Sequence, residues 1–336
     1  AFTDPYYRAA VEDEVSVFPA MQGLIEDTCL RCHAPMAHEH AHQTSTDLLQ
    51  DASCGLAGGC FRFSTALQQD HAKEGISCTL CHQVKSDNLN TPASFSGQFS
   101  IASAGDNDAF RIYGPYQNPH NGGATAMFNN SGYTPAFGSQ VTDSGHCGSC
   151  HTLFTPTMDV DTGLPSGTDF LEQGPFLEWQ NSLYVTGASK AQQCQDCHMP
   201  DPAPGTYATR IATRPDGTVN TQWPVRSPFF THSMVGGNAY LLELLRDNRV
   251  ALEIGNSTTV AGFDEKITET RAFLASSAAD LAVTQAVVAG VDALIDVRIT
   301  NRTGHKLPTG YPSRRMWVHL TVRDAANQVI FESGAP

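Results

Sequence analysis

Cys29-Leu30-Arg31-Cys32-His33, Cys78-Thr79-Leu80-Cys81-His82, Cys147-Gly148-Ser149-Cys150-His151 and Cys194-Gln195-Asp196-Cys197-His198 are four copies of one pentapeptide, Cys-x-x-Cys-His. This is the attachment pattern of c-type haem: two thiols form thioethers to the porphyrin edge and the histidine binds iron. At this composition one chance match is roughly a one-in-a-hundred event, so four in one chain decide the reading. Zinc is the competing use of paired Cys-x-x-Cys, but a histidine directly after every second cysteine favours haem. The expectation is four covalent haem c groups held through Cys29, Cys32, Cys78, Cys81, Cys147, Cys150, Cys194 and Cys197. His33, His82, His151 and His198 are the expected proximal iron ligands.

The remaining cysteines agree with that chemistry. Ten cysteines less eight leaves Cys54 and Cys60, which bracket Gly55-Leu56-Ala57-Gly58-Gly59 and are expected to close a short disulfide loop. Haem c attachment and stable disulfides both belong outside the cytoplasm, so the chain is expected to be periplasmic or extracellular, with its export signal already removed. The formal charge of −14 disfavours nucleic acid as a partner, and propionates would add about two negative charges per haem. No stretch approaches the roughly 20 apolar residues of a membrane span.

The motifs start at 29, 78, 147 and 194, spacings of 49, 69 and 47 residues, so there is no fixed repeat. Between them the chain is rich in Gly, Asn, Pro and Ser, as in residues 86–97 and 114–145. The expected fold is mostly coil with short α-helices wrapped around four c-type haems, plus a small C-terminal antiparallel β domain. Porphyrin would replace regular structure as the core, which makes such long loops acceptable. The boundaries read as a tetrahaem-binding domain over 1–237, a helical connector over 238–280 and the β domain over 281–336. Helices are predicted over 170–185, 238–253 and 264–277 from their apolar faces. Strands are predicted over 293–300, 317–323 and 329–331, a sheet expected to be a sandwich. The last strand directly precedes Pro336, which suggests that further chain or a neighbouring subunit completes the sheet.

A sixth ligand on each iron decides what the haems can do: a second histidine leaves electron transfer alone, an open position permits substrate chemistry. Nine histidines lie outside the motifs. His71, in a polar stretch before Cys78, and His232, between Phe229-Phe230 and Gly236-Gly237, are the leading distal candidates. His120, flanked by Pro119 and Asn121-Gly122-Gly123, is another. His38, His40 and His42 follow the first motif closely, and one of them could serve a haem, here or in the next subunit. His146 is too close to Cys147 to reach another iron, and His319 reads as a strand residue. Met36, Met127 and Met234 read as packing, and Met199 cannot reach round its own haem. Arg314 and Arg315 could meet propionates or end a solvated loop. Asp159 and Asp161 beside Gly163 read as a turn rather than a cation loop.

Several longer phrases carry a resemblance. They are Cys147–Leu153 with Phe154-Thr155-Pro156, the run Glu178-Trp179-Gln180-Asn181-Ser182 ahead of Cys194–Pro200, and Phe230-Thr231-His232-Ser233-Met234-Val235-Gly236-Gly237-Asn238. The most specific is Thr303-Gly304-His305-Lys306-Leu307-Pro308-Thr309-Gly310-Tyr311-Pro312-Ser313-Arg314-Arg315. Over most of residues 29–334 the chain resembles multihaem cytochromes related to the cytochrome c-554 group, and within them extracellular tetrahaem nanowire cytochromes of the OmcE type. The resemblance implies bis-histidine haems, closely stacked, in subunits that polymerise into conducting filaments, with some ligation supplied by a neighbour. It also makes His305, at the centre of the specific phrase, a candidate ligand, the alternative being a loop-organising hydrogen bond. The expected function is electron transfer, with other copies of the chain, redox donors and extracellular acceptors as partners. The rival readings are a multihaem reductase or oxidase of small nitrogen or sulfur compounds, and a monomeric periplasmic shuttle. The Cys-x-x-Cys-Lys variant of pentahaem nitrite reductases is absent, as all four motifs end in histidine.

Overall fold

Asp4 starts the first helix, α1 (Pro5–Val17): its carboxylate accepts the backbone N–H groups of Tyr6 and Tyr7, and Pro5 sits where a missing N–H costs nothing. The structure, a computed structural model, describes all residues except 1, 120–123, 188, 202–215, 219–220, 222–225, 227–228, 255–257, 313 and 336. Helix α2 (Gln22–His33) ends on the first motif because Pro35 follows. The residue before a proline is pushed out of the helical region, and Ala34 adopts φ −136°, ψ 52°. Pro35 then opens α3 (Pro35–Thr44), which stops at Ser45 in a left-handed conformation.

These three helices bury Phe2, Tyr7, Val11, Leu30, Ala34, Ala37 and Ala41 against Phe61, Ala66 and Ala72. The alanines let α2 and α3 approach closely. Phe61 belongs to a two-residue ladder, β1 (Leu48–Leu49) with β2 (Cys60–Phe61), and Ala66 and Ala72 to α4 (Phe63–Ala66) and α5 (Asp70–Lys73). A second core gathers Leu80 of α6 (Cys78–Cys81) with Val84, Leu89 and Phe99; Met36 packs against it, as its sequence reading held.

Cys54 and Cys60 form the expected disulfide, with Cα atoms 5.6 Å apart. Closing so short a loop removes unfolded-chain entropy worth about 2 kcal/mol. Replacing both cysteines with serine is therefore expected to lower the free energy of unfolding by about 2 kcal/mol, measured by denaturant titration.

Beyond the second motif the chain is coil punctuated by small sheets. Strands β3 (Arg111–Gly114) and β4 (Thr134–Phe137) pair in parallel, joined through α7 (Ala124–Ser131). The third motif begins in α8 (Ser144–Gly148) and leads into an antiparallel hairpin of β5 (Leu153–Met158) and β6 (Pro165–Gln173). Asp159 ends β5 in a turn, its carboxylate accepting the N–H groups of Asp161 and Thr162, as read from the sequence. Short helices α9 (Pro175–Gln180), α10 (Leu183–Thr186) and α11 (Cys194–His198) follow; the last carries the fourth motif.

The single helix predicted over 170–185 is therefore wrong. Residues 170–173 belong to β6, and Pro175 bars a helix from running back through Gly174. A second break falls at Ser182, whose hydroxyl caps α10. The helix predicted over 238–253 is shorter, α12 (Ala239–Asp247), capped by the Asn238 side chain on Leu241 N–H. The third starts earlier, as α13 (Val260–Phe273), because Thr259 caps it; a wide turn over Leu274–Ala278 ends it.

The C-terminal strands form two separate hairpins, β7 (Ala279–Ala289) with β8 (Asp292–Asn301), and β9 (Leu320–Arg323) with β10 (Val329–Ser333). The expected antiparallel character is present, but the sandwich is not: among the described residues each sheet has two strands, and most side chains of β7 and β8 are exposed. Strand β9 is also shorter than predicted, since Trp317 leaves the ladder and donates its indole N–H to Gly334 O at 2.8 Å. Among the described residues no helix is long and apolar enough to cross a membrane.

Candidate haem-binding site

The four motifs, scattered along the sequence, meet around the third. The Cys32 thiol lies beside that of Cys150 and the Cys147 thiol beside that of Cys194, while Cys81 lies close enough to Cys150 to feel its charge. Hydrogen bonds lock this contact: Ser96 N–H donates to Thr152 O at 2.8 Å, Gly97 N–H to Ser149 O at 2.8 Å, and Cys194 N–H to Ser144 Oγ at 2.9 Å. Gly97 has φ +75°, and a Cβ there would lie 2.8 Å from Arg31 Cβ and 3.1 Å from Cys32 Sγ, so only glycine fits between the first and third motifs.

All eight motif cysteines are free thiols. Burial pushes Cys29 up to about 12, helped by Glu172, Glu14 and Glu26, and Cys81 up to about 11, helped by Cys150 and Cys78. Cys194 moves the other way, to about 7, chiefly because Cys147 donates to it. No disulfide joins the two sulfurs of any motif, and unbridged thiols are the form that thioether attachment needs.

The histidines are held in ligand form. His82 Nδ1 donates to Tyr113 O at 2.6 Å, His198 Nδ1 to Val235 O at 2.8 Å and His305 Nδ1 to Lys306 O at 2.9 Å. A proton fixed on Nδ1 leaves the Nε2 lone pair for a metal. Burial, with the charge of His82 next, lowers the pKa of His232; burial likewise lowers that of His198, so both stay neutral near pH 7.

Two of these rings face a partner at a telling distance. Metal–imidazole bonds are about 2 Å, so two imidazoles on opposite sides of one metal have ring centres about 6 Å apart. His82 and His232 are 6.2 Å apart between ring centres, and His198 and His305 are 6.4 Å apart. Those residues fit iron held between paired imidazoles.

The loop that carries His305 is anchored by the other specific phrase. Glu178 Oε2 accepts the Lys306 N–H at 2.9 Å and the Thr309 hydroxyl at 2.7 Å, and Tyr184 donates its hydroxyl to Arg302 O at 2.5 Å. Gly304 lies against Trp179, where a Cβ would come within 3.2 Å of the indole. Arg314 stays within its loop, donating to Thr309 O at 2.9 Å and stacking on Tyr311.

Other candidates go elsewhere. His71 Nε2 is buried without a hydrogen-bond partner, and its ring meets His40 edge-on at 5.7 Å rather than a motif histidine. His120 lies outside the described residues. His38 and His42 converge on Asp27. His146 is half-buried and its pKa falls to about 4, first from desolvation and then from the charge of His82. His319 meets Glu332 at 2.8 Å. Tyr7 was not singled out in the sequence: its ring stacks flat on His33 at 3.6 Å, and burial raises its pKa so that it remains a neutral phenol. Only its period on α1 marked it as a core residue.

No protein-family model and no curated protein sequence matches the chain. Among solved structures it is similar to the crystal structure of a penta-heme cytochrome c552 from Thermochromatium tepidum, with a TM-score of 0.47 and 19% identity. The match covers 91% of this chain and 59% of the other, so the chain spans about three fifths of that protein's length.

Proposed function

We propose that the chain is an electron-transfer protein carrying four covalent haem c groups, exported to the periplasm or cell exterior. The observation that carries this reading is the pair of histidine couples, His82 with His232 and His198 with His305, at the spacing of imidazoles that share a metal. When bound, haem iron would supply one-electron chemistry, and at the two irons that these couples would hold, paired histidines would leave no position for a substrate. The eight motif cysteines fix the groups in place, and the backbone carbonyls of Tyr113, Val235 and Lys306 fix the rings' tautomers. Contact between Cys32 and Cys150, and between Cys147 and Cys194, joins the motifs into one cluster.

The chain further serves as the repeating subunit of an extracellular filament. Support comes from the phrases shared with filament-forming cytochromes and from the β7–β8 hairpin, which no third strand joins among the described residues and where Leu281 is 67% and Val288 78% exposed. Spectroelectrochemical titration of the haem-loaded chain, paired with assays on nitrite, hydroxylamine and sulfite, tests the electron-transfer reading. Four one-electron equivalents without turnover are expected; turnover, or a predominantly high-spin ferric spectrum, would overturn it. Electron microscopy of the same sample tests assembly, with ordered fibres expected and discrete particles at every concentration contradicting it.

A further inference from the structure

Asp27, His38 and His42 converge beside the first motif but include none of the motif cysteines or histidines. Asp27 comes from α2 and is fully buried; the two histidines stand one turn apart on α3, so their rings lie on one helix face, 4.3 Å apart between centres. His42 Nε2 is 2.7 Å from Asp27 Oδ1 and His38 Nε2 is 3.3 Å from Asp27 Oδ2; one ligand atom from each residue lies within 4.8 Å of the others. His38 is 6% exposed, yet neither of its ring nitrogens has a well-formed hydrogen bond. A buried imidazole left in that condition points to a missing partner.

We propose that Asp27, His38 and His42 form a binding site for a first-row divalent ion of the zinc class, separate from the haems. The donor set is two imidazole nitrogens and one carboxylate oxygen, which suits zinc, with bonds of about 2.0–2.2 Å and ligand atoms about 3.3 Å apart. His38 already stands at that distance from Asp27 Oδ2, whereas His42 lies 2.7 Å from the other oxygen, Oδ1, so the carboxylate and the His42 ring must shift for one oxygen to serve with both imidazoles. The Phe61 N–H holds Asp27 Oδ1 at 2.9 Å, orienting the carboxylate from β2, whose first residue closes the Cys54–Cys60 loop. A fourth coordination position faces a cleft of about 430 Å³ lined by His38, Glu39, His42, Leu56, Gly58 and Gln98. Arg31 opposes the cation: its guanidinium reaches Asp27 Oδ2 at 3.2 Å. It also borders the cleft and its side chain is 19% exposed, so it has solvent to turn into when the ion binds.

Calorimetric titration of chelator-treated, haem-loaded protein with zinc chloride tests the site. One tight zinc per chain is expected. Loss of an outer-shell partner alone weakens metal sites about 10–100-fold, so loss of a ligand in His42→Gln is expected to weaken binding about 100-fold or more. His42 is the partly exposed member, so this variant retains the buried Asp27–His38 contact; Asp27→Asn, the harsher change, serves as a second variant with folding checked by circular dichroism. Absence of a tight zinc in the wild type, or equal affinity in a folded His42→Gln, would overturn the site. So would a change in haem spin state in that variant, which would assign His42 to a haem iron.

Discussion

Replacing His232 with alanine is expected to convert one haem in four from low to high spin, and His305→Ala is expected to do the same to a second. The two substitutions together should convert half of the haem, because His232 faces His82 and His305 faces His198, each near 6 Å between ring centres. Haem content should remain unchanged, since the thioether cysteines are untouched. Ferric electron paramagnetic resonance, quantified against the absorption spectrum, reads both quantities. A variant that stays wholly low-spin would show that some other group takes the position. The comparison variant His319→Ala, which breaks only the contact with Glu332, should leave the spin state as it is.

Asp27→Ala is expected to lower the free energy of unfolding by about 3–5 kcal/mol, the scale for breaking a buried charged network by removing one partner. The carboxylate accepts from the Phe61 N–H and meets Arg31, His38 and His42, and its side chain has no exposure. Burial alone would raise its pKa. The close approach of the His38 ring, the hydrogen bond with His42, the charge on His38 and the Phe61 N–H outweigh burial and hold it well below the usual carboxylate range. A depressed folded-state pKa means that this stabilisation is present above about pH 4 and fades as pH falls towards the folded value. For His38 burial pulls the pKa down, but Asp27 and Glu39 raise it above the ordinary imidazole value. Its contribution is complete below about pH 6.5 and is lost as pH rises through the raised value. The stability difference between wild type and Asp27→Ala, measured with chelator present, should therefore be largest between about pH 4 and 6.5. A difference that is flat from pH 3 to 9 would show that packing, not charge, accounts for the loss.

The four Cys-x-x-Cys-His motifs were legible because the chemistry they point to is local: five consecutive residues contain both thiols and the histidine. The phrases around Glu178 and His305 were legible as separate strings, but their meeting was not, since 127 residues separate them. That contact depends on a carboxylate reaching two groups of a distant loop. Asp27 was missed for the same reason: nothing near it in sequence distinguishes a buried acid that collects two histidines and the N–H of Phe61. The β5–β6 hairpin was hidden by Phe170 and Leu171, whose apolarity suits a helix as well as a strand, although Pro175 marks where the helix starts. Strand β7 carried an overlooked signal, a run of Val, Thr and Ala ending at Gly290, which has φ +67° in the turn. The sandwich failed because alternation in the sequence promises one apolar face, not a second sheet to cover it.

Haem per chain is the most direct measurement: pyridine haemochrome absorbance of the denatured, purified protein, normalised to chain mass by intact-protein mass spectrometry. Four covalently attached haems on a 336-residue chain are expected. A chain that retains fewer than four after denaturation, or one that binds zinc at its Cys-x-x-Cys pairs instead, would contradict the tetrahaem reading.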